Sequence, residues 1–370
     1  MNELASVLRP IKAASGLPGR YYTESSAFDE ERRRIFGRGW FCLAFASDIA
    51  APGDLLPVEA MGTALLLVRT ADGNIRCFHN VCRHRGVRLL EKPARGMRAV
   101  RCPYHGWAYD LNGRLRATPH IGGVGRHQAP GFRKSDRGLI PVRTGVWLDM
   151  VFVDLHGGAP GLAEWLAPLQ RRWRDFPLAH YRPADAEPIR FRLNANWKLA
   201  VENYCEAYHL PWVHSGLNRI SSLADHYPIV DTAFSGQGSS HYAVRGELPC
   251  AADRTLAEYV ALYPNLLLGA HTDHFFAMRI DPAAPDLTVE EARLWCLEEA
   301  AADPAYAEAR SRLRTRWEEV FREDVDIVER MQRGRQSPAF DGGCFSPVMD
   351  TPSHAFHRWV ASRLGAEESA

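Results

Sequence analysis

Two short loops that each carry one cysteine and one histidine constrain this 370-residue chain more than any other feature of its sequence. The first loop holds Cys82 and His84, and the second holds Cys102 and His105 after an interval of seventeen residues. Because both loops have the same order of residue types, four unrelated residues are a poor explanation. Thiolates and imidazoles are metal ligands, so the loops predict a metal centre and a fold that brings them together.

Two kinds of metal centre suit this ligand set. Two thiolates and two imidazoles can hold a zinc ion tetrahedrally. They can also hold a [2Fe-2S] cluster, in which two cysteines bind one iron and two histidines bind the other. Zinc fingers usually carry their cysteines as one pair and their histidines as another, whereas here each loop supplies one of each. The spacing therefore favours two metal ions with different ligand sets, and zinc is the alternative.

The residues around the loops have the pattern of a small antiparallel β domain. Short apolar segments are separated there by turn-forming residues. These segments span residues 65–68, 75–78, 145–147 and 151–153. A linker rich in glycine and proline follows at 156–161. We therefore predict a β domain over 41–155, with an N-terminal helical segment, 1–40, that packs on a second domain, 156–370.

Composition and charge exclude several other classes of protein. Lys and Arg number 45 and Asp and Glu number 44, which argues against a basic nucleic-acid-binding protein and a highly charged disordered chain. The sequence has no run of about 18 apolar residues that would predict a membrane span, and its start lacks the pattern of a signal peptide. Eight cysteines are too few for a disulfide scaffold. We expect a cytoplasmic globular protein that binds neither nucleic acid nor membrane.

A second group of potential metal ligands lies in the middle of the chain. On a helix, Glu202, Glu206 and His209 would share one face, at positions i, i+4 and i+7. Pro211 would interrupt such a helix, because it lacks an N–H and crowds the preceding turn. The resulting bend would let His209 and His214 bind one metal ion. The alternative is one core histidine and one loop histidine.

A long helix predicted over about 303–335 offers a third ligand. Asp324 occupies a gap in its apolar stripe and should point inward, whereas Asp326 falls off the stripe and should face water. A buried carboxylate is costly unless it is paired or binds a metal. Two histidines and one carboxylate leave open positions for oxygen on iron(II). Asp324 is therefore the predicted acid, with a buried ion pair to an arginine as the alternative.

Both groups of residues resemble those of one known family. The segments 82–86 and 102–107 match the paired signature C-x-H-R-G and C-P-Y-H-G-W of Rieske non-haem iron oxygenase α subunits. The stretch 202–214 is similar to that family's iron-binding helix, and 323–334 is similar to its third-ligand helix. The similarity extends over most of the chain and covers two independent signatures in the right order. The chain is identified as a member of this family.

The resemblance implies a fold and an assembly. The fold is α+β, with an N-terminal Rieske antiparallel β domain and a helix-grip, START-like catalytic domain in which a curved antiparallel sheet surrounds long helices. The assembly is a homotrimer, in which one subunit's cluster lies beside its neighbour's mononuclear iron. The implied ligands are Cys82, His84, Cys102 and His105 for the cluster, which stores an electron, and His209, His214 and Asp324 for the mononuclear iron(II), which activates dioxygen.

Glu206 departs from the commonest pattern of the family. In many members an aspartate links the two metal centres by hydrogen bonds, and Glu206 occupies the comparable place here. We expect Asn203 and Tyr204 to border the iron pocket. The glutamate resembles the branch that acts on quaternary ammonium compounds, which includes choline, carnitine and glycine betaine monooxygenases. The implied reaction is monooxygenation with N-demethylation, which releases formaldehyde.

The electrons for this reaction must come from a second protein. The chain has no G-x-G-x-x-G segment between a predicted strand and a helix, and so no fingerprint for binding a dinucleotide. We expect a separate flavin and iron–sulfur reductase that uses NADH or NADPH.

A substrate with a permanent positive charge would favour an aromatic pocket. The strand-rich segment of the second domain offers four candidate pocket residues, although aromatic residues in strands are more often core. They are Tyr263, Phe275, Phe276 and Trp295. Two alternative functions remain: hydroxylation of the ring of an aromatic acid, and electron transfer by a metal-stabilised protein that has lost oxygenase activity.

Overall fold

The computed structural model describes residues 3–184, 187–242, 248–250 and 256–365. The chain divides into two compact units. One unit is Phe36–Ala159, and the other combines Met1–Ile35 with Pro160–Ala370. Every strand pair among the described residues is antiparallel, and helices are concentrated in the second unit. This is the α+β class that the sequence predicts.

The unit Phe36–Ala159 is built from short strands. They are β1 (Phe41–Phe45), β2 (Leu55–Ala60), β3 (Thr63–Arg69), β4 (Ile75–His79), β5 (Ala99–Arg101), β6 (Ala108–Asp110), β7 (Leu115–Ala117), β8 (Pro141–Trp147) and β9 (Met150–Asp154). A larger sheet has the order β1-β9-β8-β4-β3-β2, and a smaller one has the order β5-β6-β7. Apolar side chains such as Leu66, Phe78 and Leu115 form a core that also contains Cys82 and Cys102. The two cysteine loops are therefore anchored in packed structure.

The second unit contains one large antiparallel sheet. Its strands are β10 (Tyr181–Pro183), β11 (Ile189–Leu193), β12 (His226–Val230), β13 (Phe234–Ser239), β14 (Ala257–Leu262), β15 (Leu266–Ala270), β16 (His274–Ala284) and β17 (Leu287–Leu297). Their order is β10-β17-β16-β15-β14-β13-β12, and β11 also pairs with β17. The central strands β14 and β15 are buried throughout, as expected of strands covered on both faces.

Helices accompany this sheet. They are α1 (Arg20–Thr23), α2 (Ser25–Glu31), α3 (Leu162–Arg172), α4 (Trp197–Cys205), α5 (Leu210–Val213), α6 (Ser215–Ile220), α7 (Glu298–Ala302), α8 (Ala307–Arg335) and α9 (Thr351–Gly365). Helix α4 packs against β13, β14 and β16 and against both α8 and α9. Among the described residues, none of these helices is long and apolar enough to cross a membrane.

Helix α8 follows the long helix that the sequence predicts, with a later start. A 3₁₀ turn occupies Pro304–Tyr306, and the side chain of Asp303 accepts a hydrogen bond from the Ala305 N–H at its beginning. The 29 residues of α8 span about 44 Å. Buried side chains recur every four residues from Ala309 to Phe321 and again at Val328 and Gln332, and the interval between Phe321 and Val328 contains Asp324. This apolar stripe fixes which face of α8 meets the sheet and α4.

Candidate metal centres and active-site cavity

The two cysteine loops have the same backbone geometry. The Gly86 N–H donates to the carbonyl oxygen of Cys82 at 3.0 Å, and the Gly106 N–H donates to that of Cys102 at 3.1 Å. Both glycines have positive φ angles, 72° and 69°, which a residue with a side chain adopts only at a cost. The repeated Cys-to-Gly turn is thus a local structural requirement, and it presents the cysteine and histidine of each loop in equivalent positions.

The four predicted cluster ligands converge. The sulfur atoms of Cys82 and Cys102 are buried, and the imidazole rings of His84 and His105 lie 4.6 Å apart between centroids. The Nδ1 atoms of both histidines are buried and have no hydrogen-bond partner among the described residues. Buried polar atoms are rarely left unpaired. Two imidazole nitrogens that lack any protein partner fit a site in which both bind metal.

Electrostatics around these loops agree with a bound cationic centre. Burial raises the pKa of the Cys102 thiol, so a thiolate at this position needs the compensating charge of a metal. Burial, and then His105, lower the pKa of His84, which keeps its imidazole neutral and able to act as a ligand. The Tyr109 hydroxyl lies 3.4 Å from the Cys82 sulfur. Sequence reasoning missed Tyr109, because its position beside the cluster arises from strand pairing.

The three predicted ligands of the mononuclear iron also converge. The Nε2 atom of His214 lies 2.9 Å from Oδ1 of Asp324, and the Nε2 atom of His209 lies 3.9 Å from the same oxygen. One potential ligand atom from each residue falls within 4.8 Å of the other two. Oδ1 of Asp324 is buried and makes no hydrogen bond of good geometry among the described residues. The donor set and its spacing fit iron(II) with adjacent open positions.

The local structure that presents the two histidines differs from the predicted helix. Helix α4 ends at Cys205, and Glu206 has an extended backbone with φ −126° and ψ 160°. His209 then caps the short helix α5, and His214 lies between α5 and α6. The prediction that Glu202, Glu206 and His209 share one helical face is therefore wrong. The break falls before His209, not after it at Pro211.

Carboxylates orient both histidines. The Nδ1 atom of His209 lies 2.7 Å from Glu206, and the Nδ1 atom of His214 lies 2.7 Å from Glu323. Each bond leaves Nε2 directed at Asp324, an arrangement that fixes the ring and raises its strength as a ligand. Burial alone would lower the pKa of His214, but Asp324 and Glu323 outweigh it and raise the pKa. Glu323 was missed as an orienting residue, although it directly precedes Asp324.

A cavity with about 430 Å³ of empty space opens beside these ligands. Both histidines and Asp324 line it, so open metal positions would face its interior. The remaining lining residues are mostly aromatic or apolar, with three further polar groups. They are Asn203, Tyr204, Leu210, Leu217, His226, Gln237, Tyr259, Trp317, Val320 and Phe321. The predicted Asn203 and Tyr204 thus border the cavity, whereas Glu206 stands behind His209 and does not line it.

A smaller adjoining cavity contains an acid that the sequence did not reveal. It shares Asn203, Tyr204 and Asp324 with the first cavity and adds Glu290 from β17. Burial, and then the neighbouring Asp324, raise the pKa of Glu290 to about 8. A period-two strand pattern would place Glu290 on a definite face, but only the sheet's pairing shows that this face looks toward Asp324.

None of the four predicted pocket aromatics lines either cavity. Tyr263 donates a hydrogen bond to Ser235 and packs on Phe356. Phe275 packs between Trp173 and Trp295, and Phe276 lies behind Trp317 with 4.4 Å between ring centroids. The structure thus gives these two cavities no lining from Tyr263, Phe275, Phe276 or Trp295, whose side chains are buried in the core. Tyr259 and Trp317 supply the wall itself.

The two units match two family models. Residues 39–128 match the Rieske [2Fe-2S] domain, and residues 172–366 match the ring hydroxylating alpha subunit (catalytic domain). The second match covers more than half of the chain, and the chain belongs to the Rieske non-haem iron oxygenase α subunits, a family of oxidoreductases. The predicted family is confirmed. The Rieske match also decides for a [2Fe-2S] cluster over zinc, and the catalytic domain is one that carries mononuclear iron.

Individual relatives place the chain near a group of monooxygenases. The carnitine monooxygenase oxygenase subunit of Escherichia coli is 32% identical over 55% of this chain and 53% of its own length, so that match spans about half of each protein. The glycine betaine monooxygenase oxygenase subunit of Pseudomonas aeruginosa is 24% identical over 97% of this chain and 91% of its own length. The chloroplastic choline monooxygenase of Spinacia oleracea is 27% identical over 96% of this chain and 80% of its own length.

Solved structures agree on the fold. A quaternary ammonium Rieske monooxygenase in complex with L-carnitine superposes with a TM-score of 0.79 at 22% identity, and covers 98% of this chain and 99% of its own. Naphthalene 1,2-dioxygenase from a Rhodococcus species superposes with a TM-score of 0.80 at 20% identity, and the match covers 99% of this chain and 98% of the dioxygenase chain. Because both identities are low, these similarities establish the fold of a Rieske oxygenase, as predicted.

Proposed function

We propose that this chain is the oxygenase component of a monooxygenase that oxidises a small quaternary ammonium compound, with N-demethylation as the reaction. The observation that carries the proposal is the cluster of His209, His214 and Asp324 at the edge of an aromatic-lined cavity. The named carnitine, glycine betaine and choline monooxygenases support the choice of substrate class. The iron held by these three residues would supply the activation of dioxygen.

The cavity favours an ammonium ion over an aromatic acid. The described residues that line it include four aromatic rings and neither lysine nor arginine. A permanent cation gains about 0.5–2 kcal/mol from each good contact with an aromatic face, and no basic side chain among these lining residues would repel it. The same three ligands argue against an electron carrier without oxygenase activity, because such a protein has no use for a second metal site beside a cavity.

Each predicted site residue has a proposed role. Cys82, His84, Cys102 and His105 hold the cluster, and His209, His214 and Asp324 hold the iron. Glu206 orients His209 and is placed to accept its Nδ1 proton, Tyr204 shapes the cavity while its hydroxyl donates to the Leu268 carbonyl oxygen, and Asn203 lines both cavities. We propose 41–155 as the cluster domain, 156–370 as the catalytic domain, and 1–40 as a helical segment on the latter.

The proposed assembly is a homotrimer that works with a separate NAD(P)H-dependent flavin and iron–sulfur reductase. One solved quaternary ammonium Rieske monooxygenase is described with inter-subunit electron transfer. In this chain, Tyr104 beside the cluster loop and Trp212 beside His209 are 57% and 74% exposed. Large exposed aromatics next to both metal sites suit surfaces that another subunit covers. A chain with eight cysteines, too few for a disulfide scaffold, suits the reducing cytoplasm, which also supplies the nicotinamide.

The test is a product assay with a surrogate reductase, NADH and iron-loaded protein. Choline, glycine betaine, carnitine and benzoate are offered in turn, and formaldehyde and oxygenated products are measured. Oxygenation of an N-methyl group consumes one O₂, two electrons and two protons and gives water and a cationic carbinolamine, which splits into formaldehyde, a tertiary amine and a proton. We expect product from at least one quaternary ammonium compound. Ring hydroxylation of benzoate without any product from the ammonium compounds would contradict the proposal.

A further inference from the structure

A buried hydrogen-bond chain ends on one wall of the substrate cavity. The indole Nε1–H of Trp317 donates to Nε2 of His274 at 2.8 Å. The Nδ1 atom of His274 lies 2.6 Å from Oδ1 of Asp273. The indole can only donate, so Nε2 of His274 must be the acceptor and its Nδ1 must carry the proton that Asp273 accepts. The carboxylate therefore fixes the tautomer of the imidazole, and the imidazole fixes the indole.

Trp317 stands on the same face of α8 as the iron ligand. Asp324 follows it by seven residues, which is two helical turns, and both side chains line the larger cavity. The indole is wedged against Phe276 and Phe321, with ring centroids 4.4 Å and 5.5 Å away. The hydrogen bond to His274 removes the remaining rotational freedom of the ring. Its orientation toward the cavity is thus set by packing on one side and by a single polar contact on the other.

The chemistry of the chain suits recognition of a cation. Tryptophan is the side chain that attracts cations most strongly through its ring face. An indole N–H that donates to an imidazole, itself hydrogen-bonded to a carboxylate, carries more electron density in its ring, because hydrogen bonds in a chain polarise one another. A cavity wall that made only apolar contacts would not need this chain of hydrogen bonds. His274 is fully buried, and its two ring nitrogens are paired with Trp317 and Asp273.

We propose that the indole of Trp317 recognises the substrate's ammonium group. Asp273 and His274 are then positioning residues, which orient and polarise the indole. This inference rests on the proposed function, because it takes a quaternary ammonium substrate as given. It adds the residues that would distinguish a positive charge from a neutral group of the same shape.

The experiment measures discrimination between charged and neutral ligands by calorimetric titration of the iron-loaded protein. Choline and glycine betaine are each compared with the analogue in which a quaternary carbon replaces the nitrogen. The wild type should bind at least one cation more tightly than its neutral analogue. In His274→Phe this preference should fall about three- to tenfold, and affinity for the neutral analogue should hardly change. Asp273→Asn, which keeps a hydrogen-bonding group but loses the charge, should give a smaller fall.

Two further variants separate the loss of indole positioning from a general loss of native structure. His271→Phe is the matched control, because His271 is similarly buried and stacks on His274, but its two imidazole nitrogens have no hydrogen-bond partner among the described residues. It should keep the full preference for the cation. Trp317→Phe should lower the preference by itself and abolish any further effect of His274→Phe in the double variant. If His274→Phe does not fold, Asp273→Asn alone and in the Trp317→Phe background gives the same comparison.

The outcomes distinguish this inference from the proposed function. A wild type that binds the charged and neutral ligands equally overturns both. A wild type that prefers the cation, together with His274 and Asp273 variants that keep the preference, overturns only the positioning role. Independent effects of His274→Phe and Trp317→Phe also overturn it, because they would show that His274 does not act through the indole.

Discussion

The two aspartates of α8 show how much depends on the direction of one side chain. Asp324 points at the two histidines, whereas Asp326 is 63% exposed and pairs with Arg330 at 2.8 Å. We expect Asp324→Ala to lower the iron content from about three to about two atoms per chain and to abolish turnover, with the cluster spectrum retained. Asp326→Ala, the control, should keep all its iron and change stability by less than about 0.5 kcal/mol. Full turnover in Asp324→Ala would show that another acid is the ligand.

Single residues were predictable where a local pattern fixed their surroundings. Asp324 lay in the gap of an apolar stripe, and the structure turns it inward as that gap predicts. Glu323 lies off the stripe with a 42% exposed side chain, and nothing local shows that it reaches His214 across 109 positions. The four predicted pocket aromatics, none of which lines the two cavities, illustrate a related limit. Alternation along a strand separates two faces, but it does not say which face borders a cavity and which fills the core.

At the scale of elements, the end of α4 decides the geometry of the iron site. Helical periodicity continues past Cys205, yet Glu206 leaves the helix and its carboxylate accepts hydrogen bonds from the Tyr208 N–H and from His209. Such local side-chain bonds compete with the backbone bonds of a helix. The sequence shows the helix-forming residues but not this competition. It therefore predicted the three residues that the structure brings together, but on an incorrect backbone.

Glu202, the acid on α4 that does not serve the metal, links elements instead. It accepts hydrogen bonds from Tyr22 and Arg335, and His357 lies 3.1 Å from it. Burial alone would raise its pKa, but His357 and Arg335 outweigh burial and lower the pKa to about 2 from the usual 4.5. The charged form is thus favoured in the folded state. Its contribution to stability is complete above pH 4.5 and is lost as the pH falls toward 2.

We expect Glu202→Gln to lower the free energy of unfolding by about 3 kcal/mol at pH 7, as measured by urea denaturation. The difference from the wild type should shrink as the pH falls below about 4.5. Glu308→Gln is the control, because Glu308 is 86% exposed and makes one surface ion pair with Arg312. It should have little effect at any pH. A loss of stability in Glu202→Gln that is the same at pH 7 and at pH 3 would contradict the charge-based explanation.

At the scale of the whole molecule, each metal centre is built from the residues of one unit. The two loops proposed to hold the cluster belong to Phe36–Ala159, and the three residues proposed to hold the iron belong to the unit that contains Pro160–Ala370. The paired loops made the first centre predictable, because two short segments carry all four ligands. The second centre needs residues from α5, its flanks and α8, so its assembly depended on tertiary structure. Each unit should therefore bind its own metal without help from the other.

This independence can be tested with two cysteine variants. Cys82→Ala removes a cluster ligand, and we expect it to lower the iron content from about three to about one atom per chain, with loss of the visible cluster spectrum. The remaining iron should stay at the mononuclear site, but turnover should cease because no cluster supplies the second electron. Cys77→Ala removes the same atoms from a buried cysteine in β4 that lies outside the loops, so it should keep both centres. Loss of all iron from Cys82→Ala, with Cys77→Ala unaffected, would show that the mononuclear site forms only when the cluster unit is intact.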